Sequence, residues 1–263
     1  MKFKKLLPKK IRTLIHNYLG RYQNNQIAQL FVNDGKIKTE FAITNFVSFF
    51  APDNCDDKAK FRITMLNESG KLIAEKIITL SKFGSKSIRP TEIFNCKLPQ
   101  IGMFTAQAIS PINFANKNKA LGALNSHFYS FYKSTIDESM AIIHPQHFLT
   151  KHRYNKTNPY YWMSQYVVNT KNIERIEVYQ LSVLEVWDMQ SGTELLNAKN
   201  NEILAENSYF MKSKNIRKTV YNIKEIRDQI PYIKIGVKAL CGDNAKPLMF
   251  IYSDDGCFTA THA

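Results

Sequence analysis

Histidines at the ends of two similar segments are the residues of this sequence best suited to chemistry. His144 and His262 each close an apolar segment that follows an aromatic segment and a polar turn. Imidazole titrates near neutral pH and binds metals, so these two side chains together with His127 could act as acid, base or metal ligand. The alternative is structural: each ring hydrogen-bonds a backbone carbonyl at a strand end. We favour the structural role, because duplicated positions more often record shared architecture than shared chemistry.

The densest group of histidines does not form a metal motif. His144, His147 and His152 lack the i, i+4 spacing of a metal-binding helix, and no thiolate or carboxylate motif completes the group. The aspartates of the polar loop at 51–60 lack the alternating spacing of a calcium loop. Glycine-rich phosphate loops, GxSxG elbows and HExxH helices are also missing from the sequence. The sequence therefore predicts no cofactor, no metal and no assigned catalytic residue.

Cations and aromatic residues alternate near the middle of the chain, from His152 to Trp162. Such a surface could stack on sugar rings or bases and bind anionic groups. The alternative is that these aromatic side chains bury one another at a domain junction. We predict a surface that binds a glycan or a protein, built from six residues: His127, His144, Arg153, Tyr161, Trp162 and His262.

The first 22 residues predict a short, basic, amphipathic helix. Apolar residues recur at helical spacing from Ile11 to Leu19, Pro8 suits the first turn, and Gly20 suits the position after the last turn. The apolar stripe fits an anionic membrane surface, the body of the protein or a partner. The cations predicted to contact a membrane or another anion are Lys4, Lys5, Lys9, Lys10 and Arg12.

The positive charge is concentrated in this helix. The 263 residues include 36 lysines and arginines against 22 aspartates and glutamates, a formal charge of +14. Seven cations precede the first acidic residue, Asp34, which leaves 29 basic against 22 acidic residues in the body. This mild excess disfavours nucleic acid as a partner. A nucleic-acid binder would need cations of the body to gather on one face, including Lys212, Lys214, Arg217 and Lys218.

Segments that direct a protein out of the cell or into a membrane are not evident. The N-terminus lacks the apolar core of a secretory signal, and no apolar run approaches the roughly 20 residues that span a bilayer. The four cysteines, Cys55, Cys96, Cys241 and Cys257, include no CxxC pair and fit reduced thiols. We therefore expect a cytoplasmic protein, held peripherally at the inner face of the membrane by its first helix.

The elements that must position these residues recur in the two halves of the chain. Internal repeats indicate a fold more strongly than a single motif does. Three blocks recur in the same order: 128–144 resembles 248–262, 61–70 resembles 184–192, and 87–93 resembles 218–226.

Alternating apolar and polar residues predict strands within each half. The alternation runs from Lys36 to Phe49, and a hairpin is predicted around the turn 67–70, whose glycine can adopt positive φ. Single helical turns are predicted at 90–94 and 223–228. The loop at 51–60 is predicted to be an insertion in the first repeat.

These patterns predict a mainly β fold. It consists of two tandem antiparallel β-sandwich domains related by internal duplication, with a short N-terminal amphipathic helix. A single continuous β-structure formed from both halves is the alternative. The predicted division is 1–22 for the helix, 23–149 for the first sandwich, 150–159 for a linker and 160–263 for the second sandwich.

The predicted function is non-catalytic binding or scaffolding, with a glycan or a protein as ligand and peripheral attachment to a membrane. The alternative is a histidine-dependent, metal-assisted hydrolase or lyase that uses His127, His144 and His262. Two nucleophiles lie near histidines in the sequence, Cys257 and Ser126. Such pairs are common by chance, so they do not by themselves indicate an enzyme.

Overall fold

Strands dominate the part of the chain that the computed structural model describes, which confirms the predicted mainly β class. The described residues are 27–45, 47–50, 57–109, 127–147, 160–164, 166–182, 189–239 and 247–262, together with Pro8, Ile11 and Pro52. Apart from Pro8 and Ile11, the predicted N-terminal helix lies outside the described residues, as does the predicted linker at 150–159. The predicted division into domains stays a prediction.

Eighteen strands and two single-turn helices make up the regular structure of the described residues. The helices are α1 (Val47–Phe50) and α2 (Pro90–Ile93). The strands of the first half are β1 (Ile27–Val32), β2 (Ile37–Thr44), β3 (Lys58–Asn67), β4 (Leu72–Ser81), β5 (Ser85–Ile88), β6 (Ile101–Ala108), β7 (His127–Ser134), β8 (Met140–Ile143) and β9 (Gln146–His147). Those of the second half are β10 (Tyr160–Met163), β11 (Val168–Asn169), β12 (Ile173–Leu181), β13 (Met189–Asn197), β14 (Ile203–Met211), β15 (Ile216–Asn222), β16 (Tyr232–Ala239), β17 (Leu248–Ser253) and β18 (Phe258–His262).

The strands form four antiparallel sheets. Sheet one has the order β4-β3-β6-β1-β9, and sheet two has the order β5-β2-β7-β8. Sheet three has the order β14-β13-β16-β10, with β11 also beside β16, and sheet four has the order β15-β12-β17-β18. Apart from β9 and β11, the strand order of sheets one and two therefore recurs in sheets three and four.

Strand β2 shows the alternation that its sequence predicts. Ile37, Thr39, Phe41 and Ile43 are buried, and the residues between them are exposed or half-buried. The predicted continuation of this strand to Phe49 is wrong, because residues 47–50 form α1. The reason is local: the Ser48 hydroxyl and backbone N–H both donate to Asn45 O, at 2.6 and 3.2 Å, and close a helical turn.

The predicted turn at 67–70 is confirmed, since Gly70 has φ +79°. The block that was matched to this turn in the second half lies elsewhere, because Gln190–Gly192 belongs to β13. A Cβ on Gly192 would come within 2.5 Å of the backbone O of Asn207, so this glycine serves close strand approach instead of a turn. The corresponding turn follows β13, where Asn201 N donates to Asn197 O at 2.9 Å.

Both predicted helical turns are present. The first is α2, and the second closes with a bond of 3.0 Å from Arg227 N to Ile223 O. They follow β5 and β15, which occupy the same edge position in their sheets.

Three hydrophobic clusters hold the sheets together. One draws on sheets one and two, where Phe41 stacks on Phe104 with ring centroids 4.0 Å apart. Another draws on sheets three and four. The third, called here the shared cluster, contains residues of both halves, with Tyr132 packed edge-on against Phe250 at 5.0 Å. The two halves are thus joined by an apolar core.

Strand β1 lies at the centre of this arrangement, and all six of its residues are buried. Ile27 and Phe31 belong to the cluster of sheets one and two, whereas Ala28, Leu30 and Val32 belong to the shared cluster. Strand β1 is therefore covered by apolar side chains on both faces.

Side chains complete the hydrogen bonding of the outer edge of β1. Among the described residues, β9 pairs with just the first two residues of β1. Further along, the Thr39 hydroxyl accepts from Val32 N at 2.9 Å and donates to Val32 O at 2.8 Å. The Tyr132 hydroxyl donates to Leu30 O at 2.8 Å, and Leu30 N donates to Gln29 Oε1 at 3.1 Å. These bonds satisfy the part of the edge where no strand of the described residues pairs with β1.

Replacing Thr39 with valine should destabilise the fold. Valine has a similar shape but cannot bond Val32 N or O, so we expect Thr39→Val to lower the free energy of unfolding by about 1–3 kcal/mol. Urea unfolding measures this loss. The control is Thr79→Val at an exposed position of β4, which should leave stability nearly unchanged. Equal stability of Thr39→Val and wild type would contradict the role of the hydroxyl.

Candidate functional site

The structure brings together the two histidines that the sequence places at equivalent strand ends. The rings of His144 and His262 have centroids 4.4 Å apart and are tilted by 43°. His144 is exposed directly after β8, and its Nδ1 lies 3.2 Å from Pro145 O. That contact with a backbone carbonyl is the kind expected of a structural histidine.

For three other members of the predicted six-residue surface, the structure describes the strand position of the backbone and not the side chain. The fourth lies outside the described residues. His127 pairs with Thr44 in sheet two, and Tyr161 and Trp162 lie in β10, which pairs with β16. Arg153 lies outside the described residues, as do the five predicted membrane-contacting cations. Within the described ranges, no group of three His, Cys, Asp or Glu side chains could hold a metal ion. The six-residue surface stays a prediction.

Sequence reasoning missed a surface on the outward side of sheet two. Side chains alternate along each strand, so the neighbours of the buried residues Thr39, Phe41 and Tyr132 point away from sheet one. The strand register aligns these neighbours in three rows across the sheet. We call this surface the sheet-two face, and its rows are Lys38, Lys133 and Met140; Glu40, Phe131 and Ile142; and Ser87, Ala42 and Tyr129.

Large apolar side chains on the sheet-two face are half exposed. Tyr129 and Met140 are each 49% exposed, and Ile142 is 55% exposed. Phe131 lies between Glu40 and Ile142 in its row and is partly buried. Single exposed apolar side chains are ordinary, but a contiguous group on neighbouring strands marks an interaction surface.

The corresponding surface of sheet four is covered by the rest of the protein. There the outward side chains of β12 and β17 include Tyr179, Phe250 and Tyr252, which are at most 5% exposed and belong to the shared cluster. The two sheets have the same strand order, yet the face that is buried in the second half is open in the first. The aromatic residues of the sheet-two face therefore have no packing role of this kind among the described residues.

A charged triad fixes one side of the sheet-two face. Glu40 accepts hydrogen bonds from Arg89 Nε and Lys133 Nζ, both at 2.8 Å, and Arg89 also bonds Glu92 at 3.0 Å. Burial would raise the pKa of Glu40, but the hydrogen bonds from Lys133 and Arg89 outweigh it, so the pKa lies below its ordinary value. Glu40 therefore stays ionised at neutral pH and holds both cations in place.

A polar cleft adjoins the triad. Its volume is about 410 Å³, which falls within the range of small-molecule sites. The lining supplies hydrogen-bond donors and acceptors from lysine, arginine, asparagine, threonine and glutamate side chains. The residues that line it are Phe31, Asn33, Lys38, Thr39, Glu40, Arg89, Thr91 and Glu92.

A second charged cluster lies on sheet four around Glu177, which is 5% exposed. Its carboxylate accepts from Tyr179 Oη at 2.8 Å, Lys218 Nζ at 2.9 Å and Arg175 Nε at 3.1 Å. The Arg175 guanidinium also lies 3.9 Å from the centre of the Tyr252 ring. Burial would raise the pKa of Glu177, but its hydrogen bonds, led by that from Lys218, lower it below the ordinary value. The charges of this cluster pair with one another. Lys218, one of the cations that a nucleic-acid face would need, is therefore engaged in an ion pair with Glu177.

A thiol and a carboxylate connect the two halves. Cys257 Sγ lies 2.9 Å from Asp137 Oδ2, in the turn between β7 and β8. The hydrogen bond to this carboxylate, together with desolvation, raises the pKa of Cys257 to about 11. A thiol that stays protonated at neutral pH is a poor nucleophile. Cys257 and His262 also lie at opposite ends of β18. Both observations weigh against their acting as a catalytic pair.

The charge of Glu177 should govern stability at acid pH. Its pKa is lower in the folded protein than the ordinary 4.5, so its contribution is present above that pH and is lost as pH falls through the lower folded value. We expect Glu177→Gln to lose about 1–3 kcal/mol of unfolding free energy at neutral pH. The difference in unfolding free energy between this variant and the wild type should become smaller at acid pH. Urea unfolding at several pH values measures it. The exposed Glu202→Gln serves as control, and a gap that does not change with pH would contradict this role.

The thiol of Cys257 should become more reactive when Asp137 loses its charge. Alkylating reagents attack the thiolate, so wild-type Cys257 should react slowly at about pH 8 and Asp137→Asn should react several-fold faster. Peptide mass spectrometry after timed iodoacetamide treatment measures both rates, with the exposed Cys96 of the same molecule as internal reference. An unchanged ratio of Cys257 to Cys96 alkylation would show that the carboxylate does not control the thiol.

Comparison with known proteins does not assign this chain to a family. No protein-family model matches the sequence, and no curated protein matches it.

Proposed function

We propose that this chain is a non-catalytic binding protein that binds glycans through the sheet-two face. The observation that carries the proposal is the row arrangement of half-exposed aromatic and aliphatic side chains beside the triad of Glu40, Arg89 and Lys133. These side chains offer apolar contacts and hydrogen bonds, which suit binding of a ligand and do not require a catalytic group.

We further propose that the protein is built from two β-sandwich modules related by duplication. The recurrence of the strand order in the second half supports the duplication. The separate apolar clusters, one from sheets one and two and one from sheets three and four, support the pairing of the sheets into sandwiches.

A glycan suits the mixed chemistry of the sheet-two face. A sugar ring offers an apolar C–H surface to an aromatic ring such as Tyr129, and its hydroxyl groups exchange hydrogen bonds with charged and amide side chains. The core of a protein–protein interface is instead depleted of charged residues. Here Glu40 and Lys133 stand in the same rows as Phe131 and Met140. This favours a hydroxyl-rich ligand over a protein partner.

Peripheral attachment to an anionic membrane is a separate part of the proposal, and it rests on the sequence pattern of residues 1–22. The apolar stripe would enter the acyl boundary, with the basic face towards the head groups. Among the described residues, no helix has the length and apolar character needed to cross a bilayer.

An enzyme is the second candidate function, favoured by one observation. The close rings of His144 and His262 could share acid and base roles in a hydrolase or lyase. We rank this second because Cys257, the nucleophile near His262 in the sequence, has a raised pKa and lies at the other end of β18 from that histidine. The third histidine of that hypothesis, His127, is placed only through its backbone.

Removing the aromatic ring of Tyr129 should abolish most glycan binding. Affinity electrophoresis through gels that contain soluble polysaccharides should retard the wild type, and Tyr129→Ala should bind about tenfold more weakly, or roughly 1.4 kcal/mol. The control is Tyr166→Ala, an equally drastic change at a side chain that is 57% exposed outside the sheet-two face. No retardation of the wild type by any polysaccharide, or the same loss in both variants, would refute the proposal.

A further inference from the structure

We infer that the ligand of the sheet-two face is an acidic polysaccharide, and that one of its carboxylates binds beside Lys38 at the mouth of the cleft. This inference rests on the proposed glycan-binding function. It follows from the charges that the strand register brings together.

Two lysines stand directly opposite each other on the sheet-two face. Lys38 of β2 is paired in register with Lys133 of β7. Like charges at directly opposed positions of a sheet destabilise it. A negative group that lies close to both lysines offsets that cost.

The anions already present do not balance this pair. Glu40 bonds Lys133 at 2.8 Å, but the same carboxylate also bonds Arg89, so it is shared between two cations. Within the described part of the chain, Glu92 pairs with Arg89 alone. Lys38 forms no ion pair within the described part of the chain. Three cations thus face two carboxylates, an excess of one positive charge at Lys38.

The position of Lys38 makes this charge available to a ligand. Lys38 is exposed, and it lines the cleft together with Arg89, Asn33 and Thr91. An anion that enters the cleft would therefore meet one free ammonium group and several neutral or already paired hydrogen-bonding groups. A single carboxylate restores the local balance of charge.

The same lining argues against a dense polyanion. Glu40 and Glu92 are on the wall of the cleft, so closely spaced negative charges of a nucleic acid or a highly sulfated chain would be repelled. A polymer with one carboxylate between neutral sugar units avoids that repulsion. Its neutral rings would pack on Phe131, in the row next to Lys38 and Lys133, and on Tyr129, in the row beyond. This combination describes a uronic-acid polysaccharide with alternating neutral sugars.

The test compares a polysaccharide with its own uncharged form. Hyaluronan carries one carboxylate in each two-sugar repeat, and chemical reduction of the carboxyl groups leaves the same sugars without charge. We expect wild-type protein to bind hyaluronan about tenfold more tightly than the carboxyl-reduced polymer, the ratio typical of one hydrogen bond to a charged group. Lys38→Gln should bind both polymers with the weaker affinity. The matched control is Lys86→Gln on β5, which removes an exposed lysine of the same sheet outside the cleft.

The outcomes separate this inference from the function on which it rests. Equal binding of both polymers by the wild type would overturn the acidic ligand and leave a glycan-binding protein. Equal losses in Lys38→Gln and Lys86→Gln would also overturn it, because diffuse attraction to the positively charged chain would then explain the preference. Binding of neither polymer would overturn the glycan proposal together with the inference.

Discussion

The polar backbone of β1 has to be hydrogen-bonded inside an apolar environment, and the rest of the structure depends on how that is done. A backbone N–H or C=O buried without a partner costs as much as a lost hydrogen bond, so a strand covered on both faces cannot leave its edge open. Sheet two supplies the missing partners through Thr39 and Tyr132. This allows the shared cluster to cover the other face of β1 and to join the two halves.

The same bonds fix the orientation of the sheet-two face. Because side chains alternate along a strand, a Thr39 that points towards β1 forces Lys38 and Glu40 outwards, and a buried Tyr132 does the same for Phe131 and Lys133. A slip of one residue would exchange the two sides of the sheet and bury the charges. The candidate ligand surface is therefore determined by the requirement to satisfy β1, although none of its residues contributes to that edge.

Local features of this fold could be predicted from the sequence, whereas the meeting of distant residues could not. The alternation in β2 and the glycine of the 67–70 turn are set by neighbours in the chain, and both are as predicted. The similarity between the two sequence segments also predicted His144 and His262 at strand ends, but the contact of their rings depends on the packing of β8 beside β18. The match of Gln190–Gly192 to a turn failed because a glycine serves either a turn or close strand approach, and composition does not distinguish them. The sheet-two face was missed because its rows require the register of four strands, of which β2, β5 and β7 are far apart in the chain.

The difference between the outer faces of sheets two and four indicates what can occupy the open one. In sheet four the face is rich in aromatic and aliphatic residues, and its buried carboxylate Glu177 has four donors of its own. Sheet two has Glu40, Lys133 and Lys38 among its apolar side chains, and another apolar sheet packed there would strip water from these charges without replacing its hydrogen bonds. The desolvation of such a pair can exceed its Coulombic attraction, so covering this face with a hydrophobic partner would be unfavourable. An occupant that leaves part of the face wet and supplies its own hydroxyl and carboxylate groups avoids that cost, while the aromatic rings still gain contact with its apolar surface.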